Sequence, residues 1–260
     1  MKLNFKQQGN PNTKPVILIH GLFGSLNNLS GVGRALAESS HIYQVDLRNH
    51  GASGHSHQMS LDCMAADIIE LMDEQGLTTA AILGHSLGGK VAMQTALSHP
   101  NRVSQLMVAD IAPIRYPPHH DAVFAGLYAL DQAEIKQRST ASSILEGHIK
   151  EPNVRVFLLK NLVRTKTGKY KLRLNLAGIF ANYDRLNIPP QGPPFTKPVL
   201  FIKGAQSDYI TQAHRDSILT LFPNASFKMI DAAGHWLHAD KPAAFNYLAK
   251  RFLLLTNTPR

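Results

Sequence analysis

Six short apolar runs, set between longer helix-like stretches, limit what this chain can become. They are Val16-Ile17-Leu18-Ile19, His41 to Asp46, Ala80 to Gly84, Gln105 to Asp110, Pro198 to Ile202 and Ser226 to Ile230. A run that stays mostly apolar over several residues has no polar face to give to water. It suits a strand buried on both sides, as in parallel sheets. The stretches between have helical spacing. From Ser60 to Gln75, the residues Leu61, Met64, Ala65, Ile68, Leu71 and Met72 share one face, and Gly76 supplies a stop. Leu87 to His99, Gln212 to Leu221 and Pro242 to Leu255 read as further helices, with Pro242 suited to a first turn. The alternation predicts an α/β fold, a mostly parallel sheet flanked by helices.

The pattern breaks between 113 and 195. Pro113, Pro117 and Pro118 stand at one end, and Pro189, Pro190, Pro193 and Pro194 at the other. Inside, 122–135 and 153–164 read as helices, the second on the stripe Val154, Phe157, Leu158, Leu162. Thr167-Gly168 reads as a turn into a strand, where Tyr170, Leu172, Leu174 and Leu176 alternate with Lys171, Arg173 and Asn175. We expect 1–112 and 196–260 to form one core. Residues 113–195 would be an inserted cap, not an independent domain.

Gly84-His85-Ser86-Leu87-Gly88 has the form G-x-S-x-G, between a strand run and a helix. Such a turn strains the serine backbone and lifts its hydroxyl above the sheet, and glycines fit where side chains would collide. The Leu87 N–H would open the helix, where free donors and the dipole favour an oxyanion. The loop His20-Gly21-Leu22-Phe23-Gly24 follows the first apolar run and would give the second donor, Leu22, with Phe23 as the alternative. His235, in Gly234-His235 after the last strand run, is the candidate base. The same glycine cluster nearly matches G-x-x-x-x-G-K-[ST], but Val91 removes the hydroxyl that a phosphate-bound Mg²⁺ needs.

These motifs carry a family resemblance. His20-Gly21-Leu22-Phe23-Gly24, Asp46-Leu47-Arg48-Asn49-His50-Gly51-Ala52-Ser53, Gly84 to Gly89 and Gly234-His235-Trp236 occur in the order of the α/β-hydrolases. Asp110-Ile111-Ala112-Pro113, Asn49-His50-Gly51 and Gly234 to His238 resemble the YbfF-like esterases. The resemblance implies hydrolysis of carboxylic esters or thioesters of short to medium acyl groups, acyl-CoA among them for some members, through an acyl-serine and without cofactor or metal. It departs from the wider family at the acid. Three residues past Gly204 stands Ser207, with Asp208 next. YbfF-like sequences resemble this arrangement, with the acid on the strand after the nucleophile helix, so we favour Asp110 over Asp208, with Ser207 in support. Trp236 and Phe23 flank these positions as candidate pocket walls. Alternatives are cofactor-free haloperoxidase or perhydrolase chemistry, and a hydrolase-fold binding protein without turnover.

Composition bounds the rest. The chain has 260 residues, 44% hydrophobic, and one cysteine, Cys63, which excludes an internal disulfide framework. Met1 to Gln8 lacks the apolar core of a secretory signal, so a cytoplasmic protein is expected. No run approaches the ~18 apolar residues of a membrane span. The formal net charge is +9, yet ten of the 27 Lys+Arg and only two of the 18 Asp+Glu lie in 136–173. A charge confined to one segment without a groove-reading motif gives no case for nucleic acid. Lys166, Lys169, Lys171 and Arg173 would instead be a solvated face or attract an anionic substrate. His50, His55 and His57 read as surface or loop histidines, since no cysteine or close carboxylate completes a metal set. Asp46 and Arg48 are expected to tie down their loop.

Overall fold

A computed structural model describes residues 1–255. The strands are β1 (Phe5–Gln8), β2 (Pro15–Ile19), β3 (His41–Val45), β4 (Ala80–His85), β5 (Val103–Ala109), β6 (Leu162–Arg164), β7 (Tyr170–Leu172), β8 (Val199–Gly204) and β9 (Ala225–Ile230). Seven of them form one sheet in the order β1-β3-β2-β4-β5-β8-β9. Only the β1–β3 pairing is antiparallel.

The apolar runs are continuous because both sheet faces are covered. In β2, Val16 and Leu18 join α1 (Ser30–Leu36) and α11 (Pro242–Leu255) on one side. Ile17 and Ile19 join α2 (Leu61–Glu74) and α3 (Leu87–Ser98) on the other. Each such side chain contributes roughly 1.5–3 kcal/mol by leaving water. Two strands depart from expectation. β9 is an edge strand with Ser226, Lys228 and Met229 exposed, so its run is not buried on both faces. β1, Phe5-Lys6-Gln7-Gln8, carries no apolar pattern; it is fixed by pairing with β3 at the opposite edge.

The strand order reverses at β2, whose neighbours are β3 on one side and β4 on the other. Chain ends leaving β2 and β4 therefore part above the sheet and leave a crevice, the usual ligand position in such folds. Ile19 lies beside Gly84 there, so the loop beginning at His20 and the turn at Ser86 share that crevice.

Between β5 and β8, which pair directly, the chain builds an insertion. It holds α4 (Asp121–Gln132), α5 (Arg138–Glu146), α6 (Pro152–Leu159), the β6–β7 hairpin, α7 (Leu176–Ala181) and α8 (Tyr183–Asn187). The helix expected over 153–164 ends at Leu159, and Leu162 enters β6 opposite Leu172. Its buried side chain continued the helical stripe by coincidence of spacing, so periodicity missed the change. The strand expected from Tyr170 stops at Leu172, although Leu174 and Leu176 stay buried. The turn at Gly168, with φ +82°, is where it was expected. α9 (Arg215–Leu221), after one 3₁₀ turn, and α10 (Leu237–Asp240) complete the chain.

Arg48 pairs with Asp67 of α2, not with its loop neighbour Asp46. Its guanidinium is bidentate on Asp67 at 2.6 and 2.7 Å, and the two side chains are 9% and 1% exposed. Asp46 accepts from the Leu26 and Ala52 N–H groups and from Asn4. Removing one partner of a buried pair strands the other charge. Asp67→Ala should therefore destabilise by about 3–5 kcal/mol in denaturant unfolding. Asp73→Ala, which breaks the exposed Arg102–Asp73 pair, should cost below about 1 kcal/mol.

Candidate active site

Ser86 follows β4 with φ 53° and ψ −122°, outside the regions a serine prefers. The turn closes only because its neighbours lack side chains. A Cβ on Gly84 would stand 2.0 Å from the Gly88 carbonyl oxygen, and one on Gly88 would stand 2.3 Å from that of Ile19. Ser86 donates its N–H to Ala109 at 3.0 Å and accepts from Gly89 at 2.8 Å. These bonds hold the strained residue at the mouth of α3.

Ser86 Oγ donates to His235 Nε2 at 3.0 Å, and His235 Nδ1 donates to Asp110 Oδ2 at 2.8 Å. Asp110 is fully buried at the end of β5, itself at φ 53°. Its other oxygen accepts the Gly204 N–H at 3.1 Å, and the Ser207 hydroxyl donates to Oδ2. Asp208 is exposed and takes no part in this network. The imidazole is fixed from two further sides. Tyr209 stacks on it at 4.0 Å, and His85 Nε2 donates to the His235 carbonyl at 2.8 Å.

Among the described residues, the Leu22 and Leu87 N–H groups have no hydrogen-bond partner. The Phe23 N–H, the alternative donor, is spent on His50 Nε2 at 3.1 Å. A cavity of about 270 Å³ lies over Ser86, walled by Leu22, Phe23, Val123, Phe157, Leu158 and Trp236. Trp236 packs against Phe157 of α6, their ring centres 5.5 Å apart. The four basic residues of the hairpin stand elsewhere. Lys166, Lys169, Lys171 and Arg173 are exposed, none lines the cavity, and Lys169 pairs with Glu134 at 2.9 Å.

A family model described as alpha/beta hydrolase fold matches residues 14–138. Esterase YbfF of Escherichia coli is 37% identical over 257 residues, 97% of this chain and 99% of that protein. A Mus musculus protein named sn-1-specific diacylglycerol lipase ABHD11 is 36% identical over 254 residues, 94% of this chain and 82% of its own. A solved structure of a marine microorganism esterase superposes with a TM-score of 0.93 at 37% identity, covering 96% of this chain and 99% of its own. The chain belongs to the α/β-hydrolase family. Within it, the chain is a YbfF-like esterase, a carboxylic ester hydrolase.

The motifs contain His20 and His50 but did not reveal that these side chains brace this hydrolase's site. His50, read as a loop histidine, is fully buried. Its Nδ1–H donates to the Arg48 carbonyl at 2.9 Å, which leaves Nε2 to accept from Phe23. His20 likewise accepts the Leu47 N–H at Nε2 and donates from Nδ1 to the Gly21 carbonyl. His119, His120 and Tyr209 line the cavity, and nothing in their local sequence marks them. No helix of the described residues is long and apolar enough to cross a membrane.

Burial decides the charge of the esterase's histidines. It pushes His50 and His120 down to about 3 and His238 to about 4. It also lowers His20, and His85 far below the ordinary value. Burial raises Tyr209 to about 12, so its phenol stays protonated and donates to His119 at 2.7 Å. Burial thus disfavours the charged form of five imidazoles in the folded protein, whereas they titrate near 6.5 when unfolded. Below 6.5 the unfolded chain takes up protons that the folded chain refuses, so stability present above that value falls with pH. His50, His120 and His238, whose folded values lie at about 3 to 4, should each cost up to about 1.4 kcal/mol per pH unit below 6.5. Chemical denaturation at pH 7.5, 6.5 and 5.5 should show a steep stability loss below 6.5, and a flat profile would contradict the neutral assignment.

Proposed function

We propose that this esterase hydrolyses neutral carboxylic esters of short to medium acyl groups through an acyl-Ser86 intermediate. The observation that carries the reading is the unbroken chain from Ser86 Oγ through His235 to buried Asp110, opening into an apolar-walled cavity. His235 Nε2 takes the Ser86 proton as Oγ attacks the ester carbonyl. The carbonyl oxygen becomes an oxyanion and is held by the Leu22 and Leu87 N–H groups, each contributing roughly 3 kcal/mol to the transition state. The tetrahedral adduct collapses, and His235 returns the proton to the departing alcohol. Water then repeats the sequence and frees the acid. Asp110 fixes the imidazole tautomer and stabilises the imidazolium. Gly204 and Ser207 also donate to Asp110, which supports an immobile carboxylate.

The insertion would act as a cap over this chemistry. α6 contributes Val154, Phe157 and Leu158 to the cavity wall, and α4 contributes Val123. Their apolar surface favours an uncharged acyl chain. The diacylglycerol lipase name of the mouse relative makes a glycerol ester a natural second substrate to test. Acyl-CoA thioesters share the carbonyl chemistry, but attraction of their phosphates would rest on the exposed hairpin alone.

Asp110→Asn should lower kcat by roughly 10³–10⁴-fold, whereas Asp208→Asn should leave it within about threefold, in line with a surface substitution. A p-nitrophenyl ester assay on the purified variants makes the comparison, and the reverse ranking would remove Asp110 from the mechanism. A fluorophosphonate probe should label the wild type and not Ser86→Ala. Run against acyl-CoAs, the same ester panel should show the higher kcat/KM for the neutral esters. A salt-sensitive preference for acyl-CoA would instead reveal steering by the hairpin.

A further inference from the structure

The loop from His20 to Gly24 has to hold the Leu22 N–H in one place, yet its backbone is strained. Phe23 sits at φ 58°, a left-handed conformation that a bulky side chain disfavours. Both polar groups of that peptide segment are caught by buried partners. The Phe23 N–H goes to His50 Nε2, within the loop that follows β3. The Phe23 carbonyl accepts from Asn161 Nδ2 at 2.8 Å. Asn161 is 4% exposed and belongs to the insertion, between α6 and β6. The same amide donates to the Leu158 carbonyl at 3.2 Å, and the backbone carbonyl of Asn161 accepts the Arg173 N–H at 2.9 Å. The side chain thus joins the end of α6 to the residue next to Leu22, while the Asn161 backbone ties the same residue to Arg173 beyond the hairpin.

We propose that Asn161 is a positioning residue for ester hydrolysis. By holding the Phe23 carbonyl it keeps the Leu22 N–H aimed at the oxyanion, and it makes that aim depend on the docked insertion. The proposal rests on Leu22 acting as an oxyanion donor. Its logic is geometric. Among the described residues the Leu22 N–H has no hydrogen bond of its own to hold it, and a left-handed peptide released at one end relaxes toward ordinary φ. A displacement of about 1 Å in a catalytic donor is enough to cost up to 100-fold in rate.

Asn161→Ala tests it, with kcat, KM and the affinity for a trifluoromethyl ketone measured together. Ser86 Oγ adds to that ketone's carbonyl, its proton passes to His235, and the resulting alkoxide occupies the oxyanion position. The expected result is a kcat lower by about 10- to 100-fold, KM within about threefold, and ketone affinity weakened in parallel with kcat. Asn161→Ser, which keeps a short donor, should recover part of the loss and serves alone if the alanine variant does not fold. Unchanged kcat, or a loss confined to KM with ketone affinity intact, overturns the proposal. Ser86→Ala is run beside it. Turnover surviving in that variant overturns the mechanism underneath, whereas its loss beside an unaffected Asn161→Ala overturns the positioning role alone.

Discussion

The site depends on how closely α3 enters the sheet. Gly88 lies against the carbonyls of Ile19 and His20 so tightly that a Cβ would come within 2.5 Å of either. This approach brings the N-terminus of α3 beside the loop leaving β2, so that the Leu87 and Leu22 N–H groups belong to one crevice. It also forces Ser86 to φ 53°, at about 1–3 kcal/mol. Three backbone bonds on Ser86 and the fully buried Val91 and Ala92 further along α3 offset that strain. A larger residue at 84 or 88 would push α3 outward and separate the two donors. The placement of Ser86 and that of the two N–H groups proposed as oxyanion donors are therefore one constraint, set by backbone contact.

That constraint leaves loops in conformations whose polar groups cannot join a strand or helix. Neutral histidines supply the missing partners. An uncharged imidazole offers one donor and one acceptor on a mostly apolar ring, which suits a buried backbone group better than a lysine or carboxylate would. His20 serves Leu47 and Gly21, His50 serves Phe23 and Arg48, and His85 serves the His235 carbonyl. Three of this chain's 13 histidines serve in this way. His235 differs by lying partly open to the cavity at 22% exposure.

The strands and the site were legible in the sequence for different reasons. Buried strands announce themselves because both faces must be apolar, and Val16 to Ile19 is unambiguous. The nucleophile turn is legible because its glycines are sterically required. Asp110 is favoured because Ser207 stands where an acid is usual and because YbfF-like sequences resemble an arrangement with the acid on this strand; the structure sets Asp110 against His235. The insertion resisted reading. Its helices are short and bury narrow stripes, so Leu162 passed as helical. β1 owes its existence to β3 and not to its own residues. The bracing residues were invisible because their partners, such as Phe23 and Asn161, are far apart in the chain.

The segment from Asp46 to Met59 gives the insertion its seat, and this explains a motif that carries no chemistry. Asn49 sits at φ 65° and exchanges bonds with Ser56 while its backbone carbonyl and Oδ1 accept from Asn175 at 2.9 and 3.0 Å. Asn182 then bonds the His57 carbonyl and the Met59 N–H. On the other flank Lys90 of α3 donates to the carbonyls of Leu186, Asn187 and Ile188. Most of these fastenings are single hydrogen bonds between neutral groups, each worth about 1 kcal/mol net. Apolar packing can slide, whereas bonds of this kind fix one register. A wall that must keep Phe157 and Leu158 over Ser86 needs that register more than it needs strength. The excess positive charge of 136–173 stands largely outside this seat and leaves the cavity it encloses to apolar walls.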